Sequence, residues 1–425
     1  MRRLNRSKRL ALVAIVILSY SCSQNVEPQK KVASGKTSLF GEVIEPEPNL
    51  DNIYEGGEYT DSATESFALG EGGSTSSSGD WGSGNPDRQF EPGVLTAGEW
   101  NDLDNWDFWN NLLSNQEYYD DVNKWNLKEI KRYSFLVVDE KESFVANAEI
   151  SLIFNEVEVW KTKTDHKGKA TLWSDLELDG PTALIEVEGV EEIVVDVKEY
   201  TQGINEVQLD RVIASKEIID IYFAVDATGS MGDEIDYLKA ELNNVIEQVK
   251  ANNPLLETRF GSVFYRDEGD EYITRNFDFT NDETSLISFI TDQSADGGGD
   301  FPEAVHSAMD IAITQNSWNE NASTRIMFLL LDAPPHYTQE VISSIERNLI
   351  QAAEEGIKII PITASGIDKS TEYLMRSFAI LTNGTYVFIT DDSGIGNDHL
   401  EPTIGEFKVE KLNDLLVRLV GEHIP

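Results

Sequence analysis

The sequence predicts a multidomain protein in which a C-terminal α/β domain with a doubly wound sheet follows an all-β sandwich and a disordered tether. Near-continuous apolar strands alternate with amphipathic helices over residues 217–421, a pattern typical of a parallel sheet covered on both faces. Residues 132–212 show the period-two pattern of half-buried strands. Residues 22–95 contain Gly/Ser-rich and acidic tracts with few apolar residues, which predicts a tether.

Length and charge restrict the function. The chain has 425 residues, enough for two or three domains, and 40% of them are hydrophobic, enough for substantial cores. It carries 34 Lys and Arg against 76 Asp and Glu, a formal net charge of −42. A chain this acidic is repelled by phosphate backbones and by anionic lipid surfaces. We therefore expect no nucleic-acid partner, and the charge suits divalent cations.

The N-terminus has the pattern of an export signal. Basic residues at positions 2–9 precede an apolar run over 10–18, which is shorter than the roughly 20 residues needed to span a bilayer. Cys22 is the only cysteine, which excludes an intramolecular disulfide and a cysteine-based zinc site. A small residue before this cysteine resembles a bacterial lipoprotein signal, in which residues 1–21 are removed and Cys22 is lipidated. We expect an exported cell-envelope lipoprotein, periplasmic or surface-exposed, whose only membrane contact is its lipid anchor; an ordinary secretory signal is the alternative.

An aromatic segment over residues 96–131 separates the tether from the sandwich. It contains four tryptophans, and the capping-box spacing of Thr96 and Glu99 predicts that a helix begins at Thr96. Aromatic residues at this density indicate a core or a docking surface between domains. Recognition of a glycan or a peptide is the alternative.

Seven short strands are predicted in the sandwich. They cover residues 133–139, 146–154, 157–164, 170–173, 183–187, 193–197 and 206–210. Residues 137–152 and 164–170 resemble the carboxypeptidase-regulatory, transthyretin-like modules of exported bacterial proteins. The resemblance implies a spacer or docking module without chemistry of its own, in which His166 is a turn residue.

Oxygen-bearing side chains follow the first apolar strand of the C-terminal domain. Asp226, Thr228 and Ser230 come at alternate positions after the strand predicted over residues 218–225. One carboxylate and two hydroxyls in a single turn are ligands suited to Mg²⁺ or Mn²⁺, and ligands of such sheets bind beyond the carboxyl ends of the strands. A strand-end turn whose hydroxyls cap the next helix is the alternative.

Two further acidic loops are expected at the same edge of the sheet. A glycine-rich loop delivers Asp300 just before a helix, and the apolar strand over residues 325–331 ends in Asp332. With these motifs, residues 217–421 resemble the von Willebrand factor type A (VWA) domain, a Rossmann-like fold, and its metal-ion-dependent adhesion site. The residues that match this site are Asp226, Thr228, Ser230, Asp300 and Asp332, where Asp300 stands in place of the usual threonine.

The resemblance implies a bound Mg²⁺, with Ca²⁺ or Mn²⁺ as alternatives, that keeps one position open for a carboxylate of a protein partner. With Asp226, Asp300 and Asp332 all ionised, the site would carry a net charge of −1 around one divalent ion. We therefore expect Asp300 to tighten metal binding and to weaken the attraction for an incoming acidic side chain. The site would then hold its metal structurally or prefer a neutral oxygen ligand.

Other polar groups near this edge are weaker candidates. His336 and His399 are candidate rim residues, for a second metal or a ligand contact, although loop histidines are more often bonded to backbone. The acidic loop 267–271 is a candidate Ca²⁺ site or a solvated turn. We recognise no nucleophile–base pair, Gly-x-Ser-x-Gly elbow or phosphate-binding Lys loop, so no enzymatic activity is expected. The expected function is metal-dependent binding or adhesion to a protein or surface ligand; the alternative is an envelope assembly scaffold with a metal-independent VWA domain.

Overall fold

The computed structural model describes residues 90–125, 131–214 and 216–424. The predicted signal over residues 1–21, the lipidation site at Cys22 and most of the predicted tether lie outside these residues. Within the described ranges, no helix is both long enough and apolar enough to cross a bilayer.

The described chain begins with a strand and two helices, which are β1 (Thr96–Trp100), α1 (Trp106–Leu113) and α2 (Gln116–Lys124). The predicted helix start at Thr96 is therefore wrong. The Glu99 carboxylate accepts hydrogen bonds from the Thr385 hydroxyl and from Arg418, instead of capping a helix. A capping box contributes only about 1 kcal/mol, and pairing of β1 within a large sheet outweighs it.

Seven strands form an all-β module between α2 and the C-terminal domain. They are β2 (Lys131–Val138), β3 (Glu149–Phe154), β4 (Val157–Lys163), β5 (Lys169–Ser174), β6 (Thr182–Val187), β7 (Val190–Val194) and β8 (Asn205–Gln208). One sheet has the order β5-β2-β8 and the other has the order β4-β3-β6-β7. Each predicted strand overlaps one of these, because alternation of buried residues such as Ala183, Ile185 and Val187 marks a half-buried strand.

A mixed eight-stranded sheet forms the centre of the remaining chain. Its further strands are β9 (Ile218–Asp226), β10 (Glu257–Tyr265), β11 (Thr274–Thr280), β12 (Thr324–Leu331), β13 (Ile357–Thr363), β14 (Tyr386–Ile389) and β15 (Glu410–Lys411). The order is β11-β10-β9-β12-β13-β14-β1-β15. The strands from β10 to β14 in this order are parallel, whereas β11 and β1 are antiparallel to their neighbours. The predicted all-parallel sheet is thus corrected to a mixed one.

Helices cover both faces of this sheet. They are α3 (Ile235–Asn252), α4 (Glu283–Thr291), α5 (Val305–Asp310), α6 (Gln339–Glu355), α7 (Lys369–Leu381) and α8 (Leu412–Glu422). On one face, α3, α4 and α8 pack in one cluster with Ile221, Phe223 and Val225 of β9. On the other face, α5, α6 and α7 pack against the sheet, and Tyr222 and Ala224 are buried there. Burial of both faces explains why β9 is an almost continuous apolar run.

Buried charges attach β1 to this α/β domain. The carboxylate of Glu241, on α3, accepts hydrogen bonds from the backbone N–H groups of residues 93–95 at 2.7 to 3.1 Å. The guanidinium of Arg376, on α7, donates to both carboxylate oxygens of Asp102 at 2.9 and 2.7 Å and to Glu372 at 3.1 Å. The segment before the all-β module is therefore part of the α/β domain, and the module is an insertion between α2 and β9.

The all-β module contacts the edge of the sheet where the parallel strands begin. Arg325, near the start of β12, donates to the Asn147 side chain at 3.0 Å. Lys358, near the start of β13, lies 3.7 Å from the Asp165 carboxylate. The module therefore leaves free the opposite edge, at which the parallel strands end.

Candidate metal centre

The turn after β9 is built around the Asp226 carboxylate. The backbone N–H and the hydroxyl of Thr228 donate to Asp226 Oδ1 at 2.9 and 2.7 Å. The Thr228 and Ser230 hydroxyl oxygens lie 3.1 Å apart. Gly229 N–H donates to the Gly297 carbonyl, and a Cβ on Gly229 would lie only 2.9 Å from that oxygen. The turn therefore needs a glycine, and it brings the glycine-rich loop against the site.

Asp332 joins this turn because β12 lies beside β9 in the sheet. Its side chain is buried, and the Ser230 hydroxyl lies against it. Asp226 and Thr228 are buried as well, whereas Ser230 is exposed. The structure thus brings together four of the five predicted ligands, three of them buried and one open to solvent.

The fifth predicted ligand, Asp300, makes no hydrogen bond to this cluster among the described residues. Its residue is exposed, and the glycine-rich loop instead turns Glu303 inward, with 3% of that residue exposed. Glu303 N–H donates to the Pro334 carbonyl at 2.9 Å, which places it beside the Asp332 loop. A Cβ on Gly298 would meet Glu303 Oε1 at 3.0 Å and the Thr228 Cβ at 3.3 Å, so Glu303 lies next to the metal turn. The sequence feature that could have indicated Glu303 is its position as an acidic residue just before the helix that begins at Val305.

The three buried carboxyl groups hold protons more tightly than free ones. Burial raises the pKa of Asp226 to about 6, although hydrogen bonds from Thr228 lower it. Burial and the Asp226 charge raise the pKa of Asp332 to about 7. Burial and the Asp226 charge also raise the pKa of Glu303 to about 9. The ionised form of each carboxyl group is therefore destabilised. A cation bound among the three groups would instead stabilise their ionised forms and lower their pKa values.

Three carboxylate oxygens in this group are buried without a hydrogen-bond donor among the described residues: Asp226 Oδ2, Asp332 Oδ1 and Glu303 Oε2. The Tyr265 hydroxyl lies near Asp226, but without hydrogen-bond geometry. Buried acceptors without partners are costly, and a hard divalent cation binds such oxygens. The described residues contain no group of three Asp, Glu, His or Cys side chains arranged to hold a metal by themselves. A cation here would therefore also need the Thr228 and Ser230 hydroxyls, and these donors fit Mg²⁺.

The acidic loop 267–271 stabilises the site through hydrogen bonds. Asp270 Oδ2 accepts hydrogen bonds from Gly298 N–H at 2.9 Å and from Asp267 N–H at 3.1 Å. Arg266, which is buried, donates to the Ala227 carbonyl in the metal turn at 3.1 Å. These contacts connect the loop to the metal turn and to the glycine-rich loop, which is a structural role for side chains considered above as Ca²⁺ ligands.

Both predicted rim histidines pair with carboxylates near the site. His336 Nε2 lies 2.6 Å from Asp267 Oδ1. His399 Nδ1 lies 2.7 Å from Asp391 Oδ1, and its Nε2 lies 3.3 Å from Glu234 Oε1. Burial lowers the pKa of His399, but these two carboxylates outweigh it and raise the pKa above its usual value. The histidines therefore fix the loops around the site.

We expect Glu303→Gln to weaken Mg²⁺ binding about tenfold, because it removes a buried carboxyl group beside Asp226 and Asp332 that the cation would ionise. Asp300→Asn is the matched control, since that residue is exposed and should leave the affinity unchanged. Isothermal titration calorimetry at pH 8 measures both. Weakened binding in Asp300→Asn alone would show that Asp300, rather than Glu303, supplies the third carboxylate.

The family comparison agrees with this geometry. Residues 220–398 match the model of the von Willebrand factor type A domain. This segment is a VWA domain. The match includes Asp226, Thr228, Ser230 and Asp332, and it begins after the all-β module and β1. The fold described above therefore adds a strand and two helices, from residues before that module, to the segment recognised as a VWA domain.

The chain is also similar to parts of longer proteins. It is 26% identical over 218 residues to the alpha-protein kinase vwkA of Dictyostelium discoideum, covering 50% of this chain and 34% of that protein. It is 33% identical over 91 residues to the von Willebrand factor A domain-containing protein 7 of Rattus norvegicus, covering 21% of this chain and 10% of that protein. The crystal structure of the conserved hypothetical protein BatB from Bacteroides thetaiotaomicron matches with a TM-score of 0.34 and 13% identity, covering 48% of this chain and 98% of that chain. The matched regions thus span 34% of the Dictyostelium protein and 10% of the Rattus protein.

Proposed function

We propose that this protein is an exported, lipid-anchored binding protein whose VWA domain engages a protein or surface ligand through a divalent cation. VWA domains mediate protein–protein interactions, and the oxygen-bearing side chains where the parallel strands end support a cation site in this one. The observation that carries the proposal is the group of three buried carboxylate oxygens without donors, on Asp226, Asp332 and Glu303.

Asp226, Thr228, Ser230 and Asp332 would hold the cation, with Glu303 bordering it. Oxygen donors alone favour Mg²⁺, and Ca²⁺ or Mn²⁺ are the alternatives. The bound cation would supply a coordination position for an oxygen atom of the ligand. Because Ser230 is exposed while the carboxylates are buried, the ligand would approach from the Ser230 side.

The position of the all-β module supports a role as spacer. The module contacts the edge of the sheet where the strands begin, so it leaves the candidate metal centre accessible. The tether predicted over residues 22–95 ends earlier than predicted, because the backbone of residues 93–95 is bonded to Glu241. With Cys22 lipidated and the part of this tether before residue 90 acting as a linker, the centre would be held away from the membrane. We propose no enzymatic activity, since the residues at this edge suit cation binding and the kinase named among the relatives is matched over 34% of its length.

Thermal unfolding of the full-length protein with EDTA, Mg²⁺, Mn²⁺ or Ca²⁺ tests the cation. A cation that binds only the native state at about 100 times its Kd adds about 2.7 kcal/mol, which corresponds to a rise in Tm of about 5–10 °C. Asp226→Asn should abolish the rise, and it keeps the shape of the buried side chain. No rise with any of these ions would favour the alternative, an envelope assembly scaffold that works without metal.

A further inference from the structure

We propose that the surface around the candidate metal centre selects a partner that places basic residues beside its metal-binding oxygen. This inference rests on the proposed function and adds the class of partner. Six exposed carboxylates, here called the acidic rim, carry it: Glu271, Asp296, Asp300, Asp391, Asp392 and Asp398.

One side of the acidic rim adjoins the metal turn through Arg266. The Glu271 and Asp296 carboxylates lie 4.0 and 3.9 Å from Arg266 Nη1. Arg266 Nε donates to the carbonyl of Ala227, which lies between the ligands Asp226 and Thr228. These two acids are therefore about one arginine side chain away from the metal turn.

The other side of the acidic rim adjoins the centre through Glu234. Asp391 pairs with His399, and His399 lies 3.3 Å from Glu234. Glu234 N–H donates to the carbonyl of Met231, the residue after Ser230, at 3.1 Å, so Glu234 adjoins the metal turn. A Cβ on Gly396 would lie 2.1 Å from Glu234 Oε1, which places the 391–399 loop directly against it. Acidic loops thus flank the centre on both sides.

The two arginines beside Glu271 and Asp296 add little exposed positive charge to the acidic rim. Arg266 is 3% exposed and lies beneath Glu271 and Asp296, while Arg275 is 40% exposed and pairs with Glu271 at 3.6 Å. Exposed acids within about 10 Å of one another act together on an approaching charged group. An acidic partner surface would be repelled even where its central carboxylate is attracted by the cation, whereas lysines beside that carboxylate would be attracted.

The buried oxygens distinguish this edge from an ordinary acidic surface. Asp226 Oδ2, Asp332 Oδ1 and Glu303 Oε2 lie at its centre without donors, in residues that are 0 to 4% exposed. Phe301, which follows Asp300 in the chain, is 46% exposed. A partner would thus meet a cation position, an exposed aromatic ring and a surplus of negative charge.

Two labelled peptides test the charge preference with the full-length protein in Mg²⁺ at low salt. Each has a central aspartate between two serines, flanked at both ends by two lysines or by two glutamates. We expect the lysine peptide to bind at least about tenfold more tightly by fluorescence anisotropy, with the preference falling as salt increases.

Two triple variants with equal loss of charge separate the effect of the acidic rim on the peptide preference from the effect of the overall charge of −42. Asp296→Asn/Asp392→Asn/Asp398→Asn should reduce the preference at least threefold. Glu188→Gln/Glu191→Gln/Glu192→Gln, on the all-β module, should leave it unchanged. An unchanged preference in the first variant, or an equal reduction in both, overturns the proposal.

EDTA and Asp226→Asn separate this proposal from the proposed function. A lysine preference that survives both treatments shows that the acidic rim acts without a cation, so the metal-dependent function fails while the rim remains a charge filter. A rise in Tm with Mg²⁺ but no lysine preference has the opposite meaning: the centre binds metal and the acidic rim does not select the partner.

Discussion

A protein that begins at residue 104 is expected to lose the cooperative thermal unfolding that a protein beginning at residue 90 retains. The shorter protein lacks β1 and Asp102. It therefore exposes the edges of β14 and β15, and it removes Leu95 and Ala97 from the buried cluster. Unpaired strand edges and a reduced core both favour aggregation over folding.

Two buried charges make this effect large. Glu241 and Arg376 are both 0% exposed, and the truncation removes the backbone donors of the first and the Asp102 carboxylate of the second. Removing one partner of a buried ion pair costs about 3–5 kcal/mol, while a folded domain has only about 5–15 kcal/mol of stability. Losing both sets of partners should therefore unfold the domain.

Differential scanning calorimetry compares the thermal unfolding of the two proteins. Point variants then measure how much single residues contribute to the stability of the domain. Asp102→Asn removes one of the two carboxylates that pair with Arg376, the one bonded through both Nε and Nη2, and should lower Tm by about 10 °C. Asp104→Asn, at an exposed position two residues away, should leave Tm unchanged. Equal Tm values for the proteins beginning at residues 90 and 104 would show that β1 does not stabilise the domain.

The wrong prediction of a helix at β1 shows which features could not be predicted from this sequence. The central strands were predictable because burial on both faces leaves a local apolar run, as in β9 and β12. The partners of β1 are far away in the chain: Thr96 bonds Thr390, 294 residues later, and Leu95 bonds Glu241, 146 residues later. A short window showed only the capping-box spacing, so tertiary pairing overrode a local signal.

The candidate metal centre shows the same division. Asp226, Thr228 and Ser230 occupy alternate positions, and the turn that joins them is local, so the sequence was enough to group them. Choosing between Asp300 and Glu303 depended on how the glycine-rich loop packs against Pro334 and Thr228. That packing involves residues from three loops, and no spacing within one loop encodes it.

In the absence of a divalent cation, the protein is expected to lose stability as pH rises from 6.5 to 8.5. The pKa values of Asp332 and Glu303 are raised to about 7 and about 9 in the folded protein, above the ordinary values of 3.8 for Asp and 4.5 for Glu. The folded state therefore binds more protons than the unfolded state in this window, and stability falls where that is so. We expect Tm to fall by about 2–6 °C.

Histidines are the reason that the predicted loss of stability is measured from pH 6.5 upwards. Burial lowers the pKa of His423 and of His306, so these groups add stability as pH rises towards 6.5 and oppose the carboxyl groups there. His399 acts with the carboxyl groups, because its pKa is raised and its contribution is lost as pH increases. As pH rises above 6.5 the lowered histidines become neutral in the unfolded state as well, so their contribution fades and the carboxyl groups dominate.

Mg²⁺ should reverse this dependence, since a cation among Asp226, Asp332 and Glu303 stabilises their ionised forms and competes with protons. Its stabilising effect should therefore be larger at pH 8.5 than at pH 6.5. Scans at pH 6.5, 7.5 and 8.5, with EDTA or saturating Mg²⁺, measure both trends, and Glu303→Gln should reduce the slope seen in EDTA. If Tm in EDTA rises with pH across this range, the three carboxyl groups are not held in their protonated forms, and the burial of oxygens without donors would need another explanation.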